Sequence, residues 1–119
     1  MFEISKKPYD LEERTFQFTR DVAMCCKKLP RNTSNIEYSK QVIRSSGSIG
    51  ANYIEANESL SKKDFIMRIK ISRKEAKESA YWLRLLIETN EITDLKSEAQ
   101  KLGGEAIELK KIFSAILTK

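Results

Sequence analysis

The stretch RSSGSIGANYIEAN, residues 44–57, decides the fold, because it is compatible with either a phosphate-binding loop or a helix. It contains two of the chain's four glycines and several other small residues. A phosphate-binding loop follows a strand, and the Walker pattern ends in Gly-Lys-Ser/Thr. Here Gly50 is followed by Ala51 and Asn52, and no strand pattern precedes it. We therefore interpret the stretch as part of a helix.

The small residues of this helix indicate close packing against a neighbouring helix. Gly47 and Ala51 are four residues apart and Gly50 lies beside them, so all three are expected at one contact. Each helical glycine costs roughly 0.8–1 kcal/mol relative to alanine, which such a contact has to offset. The letters Gly47-Ser48-Ile49-Gly50 also match the GxxG loop of KH domains, and a functional loop stays open as an alternative.

Four amphipathic helices are predicted, because apolar residues recur at steps of three and four along most of the chain. Their predicted bounds are 11–29, 35–58, 62–89 and 94–118. Three of them begin at capping boxes, in which a Ser or Asp is followed three residues later by an acidic residue. These pairs are Asp10 with Glu13, Ser34 with Glu37 and Ser61 with Asp64. Pro30 ends the first helix, and Asn90 is a plausible stop for the third.

Each predicted helix has one face for the core. The first two faces comprise Leu11, Thr15, Phe18, Val22, Cys25 and Leu29, and then Ile36, Ile43, Ser46, Gly50, Tyr53 and Asn57. The other two comprise Phe65, Ile69, Ser72, Ala76, Ser79, Leu83 and Leu86, and then Leu95, Ala99, Leu102, Ala106, Leu109, Phe113 and Ile116. Short connections place successive helices antiparallel, so we predict one all-α domain over residues 1–119, an up-and-down four-helix bundle.

The chain has no histidine, which excludes several kinds of chemistry. Ser-His and Cys-His nucleophiles, imidazole metal sites and the Glu-x-x-His motif of di-iron bundles all require that residue. We predict no catalytic residue, no metal and no cofactor. The adjacent Cys25 and Cys26 cannot join distant parts of the chain, and the N-terminus lacks an apolar signal segment, so we expect a reducing cytoplasm. No apolar run is long enough to predict a membrane span.

Three motifs in order resemble those of the four helix bundle protein family, also called the 23S rRNA intervening-sequence proteins. They are GANYIEA at 50–56, SKKDF at 61–65, and KEAKES at 74–79 followed by YWL at 81–83. The likeness covers nearly the whole chain and implies a bundle that assembles as a ring-like homopentamer, with no established catalytic activity. A related group, the accessory proteins of diversity-generating retroelements, implies nucleic acid and a reverse transcriptase as partners.

Basic residues are concentrated on the third helix. Residues 62–77 contain seven basic and two acidic side chains. Opposite the core face, at about 100° per residue, lies a stripe formed by Lys63, Lys70, Lys74, Lys77 and Arg84, with Tyr81 among them. These six residues are candidates for nucleic-acid binding, through phosphate contacts that are independent of sequence. A merely solvated helix surface is the alternative.

A third flank of the same helix carries Ile71, Glu75, Glu78 and Trp82. A bundle needs only one apolar stripe per helix, so a second flank with a Trp predicts an oligomer interface. Alternatively, Trp82 only widens the edge of the core.

Three functional hypotheses follow from these surfaces. The first is a non-enzymatic oligomer that binds RNA or DNA, or a nucleic-acid enzyme, through the basic stripe. The second is a structural or adaptor protein whose partner is another protein. The third is an enzyme that uses Glu75 and Glu78 as an acid–base pair, which the missing histidine disfavours.

Overall fold

Four α-helices make up the fold, as a computed structural model that describes residues 10–91 and 93–119 shows. α1 spans Leu11–Lys27, α2 Thr33–Asn57, α3 Lys62–Glu88 and α4 Thr93–Leu117. The described residues form no strand, and the helices pack as a bundle, so the predicted all-α four-helix fold is confirmed. The helices α1 and α3 start at the predicted residues, and the other helix ends differ from the predicted ones by one or two residues. Residues 1–9, which the predicted domain includes, lie outside the described residues.

Side chains cap the starts of the first three helices. Asp10 accepts a hydrogen bond from the backbone N–H of Glu13 at 3.2 Å, and Ser61 accepts one from that of Asp64 at 3.1 Å, as predicted. The predicted start of α2 at Ser34 is wrong. Asn32 caps this helix instead and accepts from the N–H of Asn35 at 2.9 Å, because its side-chain oxygen is available two residues earlier.

Contacts between neighbouring helices show that they run antiparallel. Between α1 and α2, Thr19 donates to the carbonyl of Ser46 at 2.9 Å, while Thr15 lies against Gly50. Between α2 and α3, the hydroxyls of Ser45 and Ser79 are 2.7 Å apart, and Ser72 donates to the carbonyl of Ile49 at 2.9 Å. The bundle closes where Arg14 of α1 binds both carboxylate oxygens of Glu105 on α4, at 2.6 and 2.9 Å.

The core contains the predicted faces of α1, α3 and α4 almost unchanged. Leu29, Phe65 and Ile116 are the exceptions, since they are only partly buried. The predicted face of α2 is wrong at Ile36, Ile43 and Asn57, which are exposed, whereas Ser46 is buried and Gly50 and Tyr53 are half-buried. The buried residues of α2 are Asn35, Val42, Ser45, Ser46, Ile49 and Ala56.

Small polar residues explain why α2 turns a different face to the core from the predicted one. Ser45 and Ser46 are fully buried because each hydroxyl finds an acceptor, either a carbonyl one turn earlier or Ser79 on α3. Such short side chains let α2 and α3 approach closely, which larger isoleucines at the same positions would prevent.

Gly50 lies inside α2 and faces α1. A Cβ atom added there would be 2.8 Å from Thr15 Oγ1, too close for any side chain without movement. A Cβ added at Gly47 would be 3.8 Å from Thr19 Cγ2, an ordinary van der Waals distance. Ala51, which the sequence placed at the same contact, is exposed instead. The stretch is therefore a continuous helix, and neither a phosphate-binding loop nor a KH-type loop.

Candidate nucleic-acid interface

The candidate basic stripe lies on the outer surface of α3. Lys63, Lys70, Lys74, Lys77 and Arg84 are all exposed. Among the residues that the structure describes, none of these five cations forms an ion pair or a side-chain hydrogen bond. No carboxylate of residues 10–91 and 93–119 lies within ion-pair distance of these five cations, which are exposed to solvent.

The C-terminal part of this stripe borders an open groove between α3 and α4. Lys77, Tyr81 and Arg84 line one side of a space of about 570 Å³. The remaining lining residues are Ala80, Ile87, Gln100, Gly103, Gly104 and Ile107. The four α4 residues of this groove were missed in the sequence, because a single-helix pattern does not show which residues of another helix lie opposite. The adjacent glycines in the middle of α4 were the available signal.

Tyr81 is the aromatic side chain of the groove and is 58% exposed. Its ring meets that of Trp82 edge to face, with centroids 5.2 Å apart and an interplanar angle of 75°. This contact fixes the position of the Tyr81 ring while leaving more than half of the residue open to solvent.

The candidate interface flank contacts α2 of the same chain. Trp82 is half-buried, packs against Tyr38 with a centroid distance of 5.9 Å, and donates from Nε1 to Glu78 at 3.1 Å. Glu78 also accepts from Arg44 at 2.7 Å. Ile71 is half-buried. Most of this flank thus widens the contact between α2 and α3.

Glu75 is the least satisfied polar group of this flank. The residue is only 7% exposed, and its Oε1 atom has no hydrogen-bond partner. Its nearest cation is Arg44, with 3.8 Å between Nη1 and Oε1, a distance too long for a hydrogen bond. Glu75 and Glu78 therefore lie beside the same arginine, Arg44, and Glu78 also accepts from Trp82.

The cysteines have little nucleophilic character. Burial raises the pKa of the Cys25 thiol to about 11, and burial also raises the pKa of Cys26 despite a hydrogen bond with Ser39. Both thiols are free and protonated at neutral pH, whereas the reactive form is the thiolate. In the described part of the chain, no three His, Cys, Asp or Glu side chains cluster closely enough to hold a metal ion.

An exposed apolar face on α1 and α2 was not predicted. Phe16 is 61% exposed, and Ile36, Ile43 and Ile54 of α2 are also exposed. Ile36 and Ile43 line a groove between the two helices together with Ala23, Cys26 and Leu29. The sequence carried this signal, but Ile36 and Ile43 were assigned to the core. None of the four described helices combines the length and the apolar character that crossing a bilayer requires.

Comparison with known proteins identifies the family. The sequence model of the 23S rRNA-intervening sequence proteins matches residues 7–115. The chain belongs to this family. A crystal structure of a family protein from Bacteroides thetaiotaomicron, described as a protein of unknown function from the S23 ribosomal protein family, is similar with a TM-score of 0.78. It shares 31% sequence identity, over 91% of this chain and 98% of that one.

The predicted family resemblance is therefore confirmed. No curated protein is similar enough in sequence to count as a match. The solved relative shares the fold, and its description assigns it no activity.

Proposed function

We propose that this 23S rRNA-intervening sequence protein is a non-enzymatic helical bundle that binds nucleic acid through the basic stripe of α3. One observation carries the proposal. Five exposed cations share a helix face, and no carboxylate among the described residues is paired with them. Elsewhere in the bundle, cations such as Arg14, Lys28 and Arg44 are bound by acids of neighbouring helices.

The length of the stripe suits a nucleic-acid backbone. Lys63 and Arg84 are separated by about 30 Å along α3 at ~1.5 Å per residue. Each strand of a duplex carries one phosphate per ~3.4 Å of helix axis, so several phosphates fall within reach of these cations. Neutralising four or five phosphates would make affinity fall by about two orders of magnitude between 50 and 200 mM salt.

A gel-shift experiment tests the proposal with RNA, duplex DNA and an RNA–DNA hybrid at two salt concentrations. Wild-type protein is expected to bind at low salt, with little dependence on sequence and a steep loss at high salt. Changing Lys70, Lys74 and Lys77 together to Glu should remove binding, because three phosphate contacts become repulsive. The melting temperature should stay nearly unchanged, since all three side chains are exposed.

A charge-matched variant provides the control. Lys27, Lys40 and Lys101 are equally exposed but lie on three other helices, so changing them to Glu alters the net charge by the same amount. Binding by this control and not by the α3 variant would localise the contact to the stripe. Absence of binding by the wild type at low salt, or equal loss in both variants, contradicts the proposal.

Self-association would bring several basic stripes together and raise the positive charge that a nucleic acid meets, and we include it in the proposal. A ring of five, the number that the family resemblance implies, would combine five chains of charge +5 into an assembly of about +25. The exposed isoleucines of α2 support a contact between copies, because Ile36 and Ile43 line one groove and exposed apolar surfaces of this kind mark interaction sites. The α3 flank of Ile71, Glu75, Glu78 and Trp82, predicted as an interface from the sequence, is the alternative location for this contact.

The same apolar face favours one alternative, an adaptor that binds another protein. Its groove, lined by Ile36 and Ile43, could accept a partner's helix. A monomeric protein that binds none of the three nucleic acids would support the adaptor over the nucleic-acid binder.

A further inference from the structure

The groove between α3 and α4 has features that a solvated helix surface does not need. Gly103 and Gly104 lie in the middle of α4, where each glycine costs roughly 0.8–1 kcal/mol relative to alanine. An added Cβ at either position would meet no atom within 4 Å. Packing inside the bundle therefore does not require these glycines, in contrast to Gly50. Their effect is to keep one wall of the groove free of side chains.

The chemistry of the groove combines an apolar floor with a cationic rim. Ala80 and Ile87 are partly buried, and Ile107 is exposed although it is a large apolar residue. Lys77 and Arg84 lie on the rim, and Tyr81 presents an exposed aromatic ring beside them. A flat, apolar group attached to an anion fits this combination, and a nucleotide has both parts.

Building on the proposed function, we propose that the groove binds an unpaired nucleic-acid strand, with a base between Tyr81 and the Gly103–Gly104 wall. Neighbouring phosphates would contact Lys77 and Arg84. A duplex cannot use the site in this way, because its bases are stacked on one another and their faces cannot lie against an aromatic ring. The groove thus gives the basic stripe a preference for single strands.

The test measures affinity by fluorescence anisotropy for four labelled ligands of equal length. These are a single DNA strand, a single RNA strand of the same sequence, the corresponding DNA duplex, and an abasic strand that keeps the phosphates but lacks the bases. Wild-type protein is expected to bind both single strands about tenfold more tightly than the abasic strand at the same salt concentration. The RNA and DNA arms show which sugar is preferred.

Two variants examine the site directly. Tyr81→Ala should weaken binding of the single strands by on the order of tenfold, and Tyr81→Phe should retain it, because stacking needs the ring and not the hydroxyl. Gly103→Leu should close the groove and produce a similar loss. Ser97→Leu adds the same side chain to an exposed position of α4 that does not line the groove, and serves as its control.

The outcomes separate this inference from the proposed function. If the abasic strand binds as tightly as the natural strand, or if Tyr81→Ala keeps the preference for bases, the groove inference is overturned while the basic stripe stands. If no ligand binds at low salt, both fail. An acidic peptide that displaces the single strand and binds more tightly would assign the groove to a protein partner and would likewise overturn the inference.

Discussion

Gly50 illustrates how one missing methyl group sets the distance between two helices. An added Cβ would lie 2.8 Å from Thr15 Oγ1 and 3.2 Å from Thr15 Cβ. Thr15 cannot easily move away, because it is buried and its hydroxyl donates to the carbonyl of Leu11 at 2.6 Å. The close approach of α1 and α2 therefore depends on this glycine.

We expect Gly50→Ala to lower the free energy of unfolding by a net loss on the order of 1–2 kcal/mol, because overpacking costs up to about 3 kcal/mol. Helix propensity returns roughly 0.8–1 kcal/mol of this cost. Urea unfolding at a fixed protein concentration measures the change. Gly47→Ala is the matched control, because its Cβ would meet Thr19 at an ordinary 3.8 Å. That variant should be as stable as the wild type or more stable, and a stabilised Gly50→Ala would refute the packing argument.

The spacing of small residues predicted the contact but not all of its members. Gly47, Gly50 and Ala51 looked equivalent, because spacing alone does not fix the rotation of a helix about its axis. The structure places Gly50 nearest α1, Gly47 at looser contact and Ala51 in solvent. Only the partner residue, Thr15, distinguishes the two glycines, and it comes from another helix.

At the scale of elements, α2 is where sequence-based prediction failed. α1, α3 and α4 each have one dominant apolar face, so their buried residues other than Glu75 followed from periodicity. α2 has two competing faces, one with Ile36, Ile43 and Ile54 and the other with Val42, Ile49 and Ala56. Hydrophobicity favours burial of the isoleucine face. The face with Val42 is buried instead, because it also carries Ser45 and Ser46, whose short side chains let α3 approach. The isoleucines consequently lie on the exposed side of α2.

A buried pair of amides fixes this orientation of α2 at its start. Asn35 and Asn90 exchange two side-chain hydrogen bonds of 2.9 and 2.8 Å, and their amide groups also donate to the carbonyls of Pro30 and Leu86. The pair joins the beginning of α2 to the segment that follows α3. Sequence periodicity missed Asn35, because its apolar neighbour Ile36 was assigned to the core.

We expect each single change, Asn35→Ala or Asn90→Ala, to cost about 1–3 kcal/mol of unfolding free energy, since each leaves the partner amide buried without its hydrogen bonds. The double variant should cost clearly less than the sum of the two, because no orphaned amide remains. Chemical denaturation of the wild type, the two single variants and the double variant gives the double-mutant cycle. Strictly additive losses would show that the two amides do not depend on each other.

Across the whole molecule, the charged and the apolar surfaces lie on different pairs of helices. The α3 stripe was visible in the sequence because its members share one helix. The α3–α4 groove was not visible, since it exists only once Gly103 and Gly104 lie opposite Tyr81. The α1–α2 face lies on another helix pair and is apolar. Separate faces for charge and for apolar contact would let the protein assemble and bind a polyanion at the same time.

The last prediction concerns which face holds copies together. We expect the wild type to be an oligomer by size exclusion with light scattering, and the double variant Ile43→Ser/Ile54→Ser to be a folded monomer of about 13.7 kDa. Complete burial of a large apolar side chain contributes about 1.5–3 kcal/mol, and Ile43 and Ile54 are 41% and 46% exposed, so losing both should raise the dissociation constant by on the order of 10- to 100-fold. Circular dichroism verifies that the variant is still helical.

Two comparison variants decide between the apolar face and the α3 flank. Met67→Ser removes a similarly exposed apolar side chain from α3 and should leave the assembly intact. Trp82→Ala should lower the melting temperature, because it removes the packing against Tyr38, but should not release subunits. Dissociation by Trp82→Ala alone would place the contact on the flank of Ile71 and Trp82. A wild type that is monomeric at micromolar concentration would end the self-association proposal, and the apolar face would then belong to a different protein partner.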